Sequence, residues 1–183
     1  TKQIEYNGLS SVTRVVDDNG HQALTTYDTA NRKSVVTDHL GNSQTSGYDA
    51  TSQVNSITEV DRSDLGNPDQ TFVSTYQYDN LGRLFRLTDN LGQSSHFAFD
   101  SRDNRTLMTD ARGNVSSFEY DGRARLIKTT RILTDDGTGS GQPIGSIITR
   151  QEWDDNGRLK CQIDDKGNAT AHSYDAHDRI VAT

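Results

Sequence analysis

Residues 78–100 read YDNLGRLFRLTDNLGQSSHFAFD, and this stretch contains two turn signals, each followed by a strand-like run. The first turn signal, residues 79–82, combines an Asp that can accept hydrogen bonds from its own backbone with a Gly that tolerates positive φ. Residues 89–92 have the same form. In the run after them, Phe97 and Phe99 alternate with smaller or polar side chains. The stretch therefore predicts one unit of an antiparallel β-meander, made of two strands and two turns.

The aromatic–aspartate pair that starts this unit recurs along the whole chain. Counted from Tyr6-Asn7, a degenerate first copy, successive rings are separated by 21, 21, 30, 21, 21, 33 and 21 residues. Such a period is typical of a repeat architecture. We expect residues 1–183 to form a single array of about eight 21-residue hairpin repeats. The repeat positions are Tyr27-Asp28, Tyr48-Asp49, Tyr78-Asp79, Phe99-Asp100, Tyr120-Asp121, Trp153-Asp154 and Tyr174-Asp175.

A second turn follows five of the rings after eleven residues and has the form D-x-x-G, which fits a hairpin turn with Gly in the left-handed position. It occurs at Asp17/Gly20, Asp38/Gly41, Asp89/Gly92, Asp110/Gly113 and Asp164/Gly167. We interpret the ring–Asp pairs as structural in the same way, with rings stacking on neighbouring strands and Asp closing turns. A carbohydrate-binding motif is the weaker interpretation of the same pairs.

The apolar positions inside a repeat leave one question open. Val54 stands six residues after Tyr48 and Ile57 stands nine after it, and other copies show the same two columns. Their parity differs, so a straight strand cannot direct both to one face. Either a β-bulge reconciles them or both faces of the sheet are partly covered.

The two long intervals predict longer hairpins at about residues 58–75 and 130–150. Both prolines of the chain lie in these insertions, where no ladder hydrogen bond is lost. We expect the tips to protrude and to be the places where a partner makes contact. The tip residues are Asp64, Asn67, Pro68, Asp136, Gly139 and Pro143.

Composition limits the core and the partners. Leu, Ile, Val and Phe make up just under 20% of the residues, with a net charge of -7 and a mean hydropathy of -0.82, values that would suggest disorder without the period. We therefore expect a thin apolar layer or a sheet with one wet face. The pI near 5.1 argues against nucleic acid, and no apolar run is long enough for a membrane span. About fifteen strands should curve or spiral rather than stay flat.

Catalytic and metal motifs are weak. Ser, Asp and His do not form a recognisable nucleophile motif, so we expect no enzymatic activity and no cofactor. Acidic doublets such as Asp135-Asp136 leave a calcium site open as a minor alternative, although no calcium-loop pattern is present. The five histidines show no metal-binding spacing, and Cys161 is expected to be a packed thiol. The histidines are His21, His39, His96, His172 and His177.

The repeats resemble the YD-repeat, or Rhs-repeat, family, which includes bacterial Rhs polymorphic toxins, insecticidal toxin complex C components, wall-associated proteins and teneurins. The resemblance rests on Tyr78–Leu84, Asp89 to Gly92, Phe97 to Asp100, and the copy at Trp153–Leu159, and it extends over essentially the whole chain. The copies that depart from the pattern contain Asn7, Ser52, Gln53 and the displaced Arg105.

That resemblance implies a fold and a role. Family repeats coil into a hollow β-shell, and in the toxins the shell encloses a C-terminal effector domain. The chain is then expected to be a wall segment of a larger secreted or cell-surface protein, with the rest of the shell and the effector as partners. We find no aspartyl self-cleavage motif or toxin domain, so the parent's activity would lie elsewhere. The alternative is an extracellular module that binds a carbohydrate or a receptor.

Overall fold

The structure, a computed structural model, describes residues 2–63 and 66–182, and every regular element in that part of the chain is a β-strand. The chain divides into two compact units, residues 1–93 and 94–183. No helix in the described residues could span a bilayer. The first unit contains β1 (Gln3–Tyr6), β2 (Val12–Val16), β3 (Gln22–Tyr27), β4 (Lys33–Thr37), β5 (Ser43–Tyr48), β6 (Val54–Asp61), β7 (Gln70–Tyr78) and β8 (Leu84–Thr88).

In each unit the strands follow an up-and-down meander. Successive strands pair antiparallel from β1 to β8 in the first unit and from β9 to β15 in the second, and β16 and β17 form a separate two-stranded ribbon at the end of the second unit. The all-β fold of repeated antiparallel hairpins is therefore confirmed, while its curved or spiralling course stays a prediction. The second unit contains β9 (Ser94–Phe99), β10 (Arg105–Thr109), β11 (Val115–Tyr120), β12 (Leu126–Thr134), β13 (Pro143–Trp153), β14 (Leu159–Ile163), β15 (Ala169–Ala171), β16 (Ser173–Tyr174) and β17 (Ile180–Ala182).

One turn geometry joins most of these strands. In residues 28–32 the Asp28 N–H donates to the Arg32 carbonyl and the Asn31 N–H donates to the Asp28 carbonyl, both at 2.9 Å. Asn31 has a φ of 58°, in the left-handed region. The ring–Asp turns and the D-x-x-G turns share this pair of bonds, so they are two copies of one motif. The turns begin at Asn7, Asp17, Asp28, Asp38, Asp49, Asp79, Asp89, Asp100, Asp110, Asp121, Asp154, Asp164 and Asp175.

A β-bulge beside each ring settles the parity question. Tyr48 pairs with Val54, whereas Ile57 pairs with Ser46, two residues before the ring, so one residue between them is extra. Because directly opposed residues of an antiparallel pair share a face, Val54 and Ile57 both lie on the face of Tyr48. The same register shift occurs beside Tyr6, Tyr27, Tyr78, Phe99, Tyr120, Trp153 and Tyr174.

The two faces of each meander differ in chemistry. The face that bears the rings, which we call the ring face, also carries the aromatic residues two positions before some rings, such as Tyr76 and Phe118. The opposite face carries cross-strand ion pairs such as Arg14–Glu5 and Lys128–Glu119, both at 2.6 Å. No side chain in residues 2–63 and 66–182 is fully buried. The thin apolar layer expected from the composition is thus present without an enclosed core.

Candidate functional surface

The rings fasten one hairpin to the strand before it. The Tyr78 hydroxyl donates to the carbonyl of Val54, the first residue of β6, at 2.9 Å. The acceptor lies six residues after the preceding ring in each such pair, whatever the length of the hairpin between them. Phe99 has no hydroxyl for this bond. The other pairs, at 2.8–3.0 Å, are Tyr27 with Val12, Tyr48 with Lys33, Tyr120 with Arg105, Tyr174 with Leu159, and the Trp153 indole N–H with Leu126.

The aspartate after a ring closes its turn, and in five of the repeats it also binds an arginine. The Asp121 carboxylate accepts hydrogen bonds from the N–H groups of Arg123 and Arg125 at 2.9 and 3.0 Å, and from Arg125 Nε at 2.7 Å. The backbone and side-chain hydrogen bonds from Arg125 lower the pKa of Asp121 to about 2. Equivalent ion pairs at 2.6–2.7 Å join Asp28 to Arg32, Asp79 to Arg83, Asp154 to Arg158 and Asp175 to Arg179.

Several of these arginines also cover the ring of the following repeat. The guanidinium of Arg32 lies 4.3 Å from the centre of the Tyr48 ring, and that of Arg158 lies 4.7 Å from the centre of Tyr174. Arg125 stands 5.7 Å from the centre of Trp153 and donates to the Asp154 carbonyl at 2.9 Å. Each arginine thus connects the aspartate of its own turn to the ring of the next repeat through a cation–π contact.

The copies that depart from the sequence pattern keep its geometry. Asn7 accepts hydrogen bonds from Leu9 and Ser11 through its side-chain oxygen, as the aspartates do. Gln53, at the arginine position after Tyr48, reaches the next turn and donates to the Gly82 carbonyl at 2.8 Å. Asn104 donates to Asp100 at 2.9 Å in place of an arginine. These substitutions preserve the turn and change only the partner that the Asp or Asn side chain holds.

The carboxylates of the D-x-x-G turns are engaged by their own loops. Asp164 accepts the N–H groups of Lys166 and Asn168 on one oxygen and the Asn168 side-chain amide on the other, at 2.7–2.9 Å. The Asn168 side chain is the largest influence that lowers the pKa of Asp164. The described residues contain no group of three His, Cys, Asp or Glu side chains suited to a metal ion. Within those residues the minor calcium alternative has no supporting geometry.

The glycine of the same turn, Gly167, is a surface residue whose role is confined to the backbone. Its φ is 85°, in the left-handed region that the sequence pattern predicts, and its N–H donates to the Asp164 carbonyl at 3.1 Å. Gly167 is exposed, and a Cβ atom there would meet nothing within 4 Å. Glycine is therefore favoured there by its backbone conformation and not by a packing contact.

The first long hairpin, β6–β7, contacts the neighbouring D-x-x-G turn at its base. The Arg62 N–H donates to the Asn42 side chain at 2.8 Å, and the Asn67 N–H donates to Ser63 Oγ at 3.1 Å. Asn67 and Pro68 line an open pocket of about 600 Å³ with Arg62. Asp64, the other tip residue predicted for partner contact, lies outside the described residues.

The tip of the second long hairpin, β12–β13, rests on its own sheet. The Gly139 N–H donates to the Arg112 carbonyl at 2.8 Å, in the turn at Asp110 to Gly113. A Cβ atom on Gly139 would overlap the Gly113 backbone, so only glycine fits there. Asp136 accepts the Thr138 N–H at 2.8 Å, and Pro143 begins β13. The backbone N–H of Gly139 is thus already bound within the chain.

Two histidines that no sequence motif pairs lie in contact. The rings of His21 and His39 have centres 4.3 Å apart, and they belong to adjacent D-x-x-G turns of the first unit. His21 Nδ1 is 3.2 Å from an oxygen of Asp17. They are eighteen residues apart in sequence. The sequence signals this contact only through the turn positions of the two residues. His21 is the fifth residue of the turn that begins at Asp17, His39 is the second residue of the turn that begins at Asp38, and these positions lie side by side at one edge of the meander.

The family model described as RHS Repeat matches residues 78–115, which begin with the unit that decides the fold. The resemblance to the YD-repeat, or Rhs-repeat, family is thereby confirmed. No curated protein sequence matches this chain.

Among solved structures, the chain is similar to a chain of the Photorhabdus luminescens Tc holotoxin pore that carries a mutation in TccC3. The two are 15% identical, the match covers 91% of this chain and 10% of that chain, and the TM-score is 0.53. A TcdB2-TccC3 crystal structure matches 98% of this chain and 16% of its own, with 12% identity and a TM-score of 0.28. The first likeness shows the fold, and the second is too low to support an argument. The chain spans 10% to 16% of the length of these chains.

Proposed function

We propose that this chain is a non-enzymatic wall segment of a YD-repeat shell, and that the shell of the parent protein encloses a C-terminal effector in a secreted or cell-surface protein. The rest of the shell and the effector are then its partners. The RHS Repeat match and the fold likeness to part of a Tc holotoxin support the shell role.

The observation that carries the proposal is a repeated sheet without an enclosed core. All the described side chains retain some exposure, although the ring face bears Tyr, Phe and Trp at regular positions. Elements with one apolar face are stable when that face is covered by another layer. A wall that continues into further repeats and surrounds a contained polypeptide supplies such a layer.

The side-chain contacts favour the wall over a carbohydrate-binding surface. A sugar would stack on a free ring face, but arginines lie over the rings of Tyr48, Trp153 and Tyr174. The hydroxyls of Tyr48 and Tyr174 donate to backbone carbonyls, so they are engaged within the sheet. The ring–Asp–Arg series therefore joins repeats to one another.

Protease protection of the intact parent protein tests this proposal. We expect the residues C-terminal to the shell to survive a protease that digests them after unfolding. An Asp121→Ala, Arg125→Ala double variant removes one ion pair of the wall and should speed their digestion. Ser101→Ala, at an exposed turn residue, is the matched control and should behave as the unmodified protein.

Enclosure is overturned if the C-terminal residues of the native parent are digested as fast as those of the unfolded protein. Electron microscopy of the same samples supplies a second readout. A closed shell with internal density is expected in the unmodified protein and in the Ser101→Ala variant. An extended particle with an external C-terminal domain would contradict the proposal.

A further inference from the structure

The His21–His39 pair has features that the wall role does not use. His21 follows the turn at Asp17 to Gly20, and His39 is the second residue of the next turn at the same edge, Asp38 to Gly41. Both side chains belong to exposed residues, and their ring centres are 4.3 Å apart with an interplanar angle of 32°. The repeated turn geometry therefore presents two imidazoles together at the surface of the first unit.

Asp17 orients the His21 ring. One oxygen of Asp17 accepts the N–H groups of Asn19 and His21, and the other lies 3.2 Å from His21 Nδ1. An ionised carboxylate only accepts hydrogen bonds, so Nδ1 carries the proton in this contact. In a neutral ring the lone pair is then on Nε2. A carboxylate behind a histidine is the usual support of a metal-binding imidazole.

The surrounding charge favours a cation. The Asp17 carboxylate borders the pair directly through its contact with His21, and Asp38 is the residue before His39. The nearby cation is Arg62, whose side chain packs against Gly41, and the Asp69 carboxylate 3.9 Å away offsets its charge.

We propose that His21 and His39 form a two-imidazole site for a divalent transition-metal ion of the Zn²⁺ class. Imidazole nitrogens bind Zn²⁺ at about 2.0–2.1 Å, so two nitrogens on one ion are at most about 4.2 Å apart. The two rings are already in contact, with centres 4.3 Å apart, and on binding the imidazoles turn about their side-chain torsions so that one nitrogen of each faces the ion. Water completes the coordination, because the described residues supply no third ligand.

Calorimetric titration of the intact protein with ZnCl₂ tests the site. We expect one ion per chain at pH 7.5 and weaker binding at pH 5.5, because a protonated imidazole is not a ligand. His21→Gln and His39→Gln should each weaken binding by at least about tenfold. Loss of a residue that only supports a ligand already costs about tenfold in metal affinity, so loss of a ligand should cost no less. Asp17→Asn should also weaken binding by about tenfold, because it removes the carboxylate that supports the His21 ring. Asparagine is chosen because Asn7 closes an equivalent turn, so the substitution preserves the turn.

His96→Gln is the matched control, because His96 is an exposed histidine on β9 of the second unit. Its titration curve should match that of the unmodified protein. Circular dichroism of each variant establishes that the strands are retained. Absence of binding by the unmodified protein overturns the proposal. So does equal weakening by His96→Gln, which would mean dispersed, adventitious binding to surface histidines.

Discussion

At the scale of single residues, the main role of the ring–Asp pair is to form hydrogen bonds with backbone groups. The Tyr78 hydroxyl donates to Val54, and the Asp79 carboxylate binds two N–H groups of its own turn and the side chain of Arg83. Burial raises the pKa of Tyr78, with smaller contributions from Tyr76 and Asp49. A motif that resembles a recognition surface therefore has its polar atoms occupied within the chain.

Tyr78→Phe isolates the contribution of one ring hydroxyl. We expect it to lower the free energy of unfolding by about 0.5–1.5 kcal/mol, the net value of a typical hydrogen bond. Tyr76→Phe is the matched control because Tyr76 shares the ring face two residues away. Thermal denaturation of both variants measures the difference. Equal stability of the two would mean that the hydroxyl bond to Val54 contributes nothing.

The Asp121–Arg125 pair predicts a defined dependence on pH. The pKa of Asp121 is lowered to about 2 in the folded chain, below its ordinary value of 3.8. The ionised group therefore stabilises the fold above pH 4, and this contribution disappears as the pH falls toward 2. Asp121→Asn should lower the melting temperature at pH 7 and have a diminishing effect toward pH 2.

Melting temperatures measured from pH 7 to pH 2 check this prediction. Asp155→Asn, the same substitution in the next ring–Asp turn, is the matched control, and at pH 7 the loss of melting temperature should be larger for Asp121→Asn. A constant difference between Asp121→Asn and the unmodified protein across that range would contradict the expected linkage.

At the scale of elements, the bulge and the shared turn set the repeat. The bulge places both apolar columns on the ring face, and the turn accepts glycine or another residue at its left-handed position. Asn31 has a φ of 58° and Ala124 a φ of 59°, in ring–Asp turns that lack glycine at that position. A glycine in the sequence therefore marks the D-x-x-G turns clearly but misses the ring–Asp turns that have another residue at the left-handed position. The surrounding hydrogen bonds offset the backbone strain at those non-glycine residues.

Gly139→Ala tests the contact between the second long hairpin and its neighbouring turn. The added methyl group would overlap the Gly113 backbone, so the tip should lift and its N–H should lose the bond to Arg112. We expect faster amide exchange and faster proteolysis in residues 135–142. Gly145→Ala is the control, because a Cβ there meets no atom within 4 Å. Unchanged exchange in Gly139→Ala would show that the tip does not rest on the turn.

At the scale of the whole molecule, each unit is stabilised by contacts between successive strands, since the described residues have no enclosed core. In such arrays each repeat contacts mainly its neighbours, so stability is approximately a sum of local terms. The same architecture explains how a chain with a mean hydropathy of -0.82 folds at all.

Heat capacity gives the prediction that belongs to this scale. A globular domain of 183 residues would unfold with a heat-capacity change of roughly 2.2–2.7 kcal/mol/K. The heat-capacity change grows with the apolar area exposed on unfolding. We expect a clearly smaller value here, measured by differential scanning calorimetry. A value in the globular range would mean that the ring face is covered, for example by self-association. Sedimentation at the same protein concentration then shows whether the chain is self-associated.

The sequence by itself determined the period, the strand-and-turn order and the resemblance to the YD-repeat family, because regularly spaced rings, aspartates and glycines report local backbone preferences directly. Only the tertiary structure decided which face carries Val54 and Ile57, where the Gly139 tip rests, and that His21 meets His39. Those outcomes depend on strand register and on contacts between residues distant in sequence, and no local preference of a single residue specifies them.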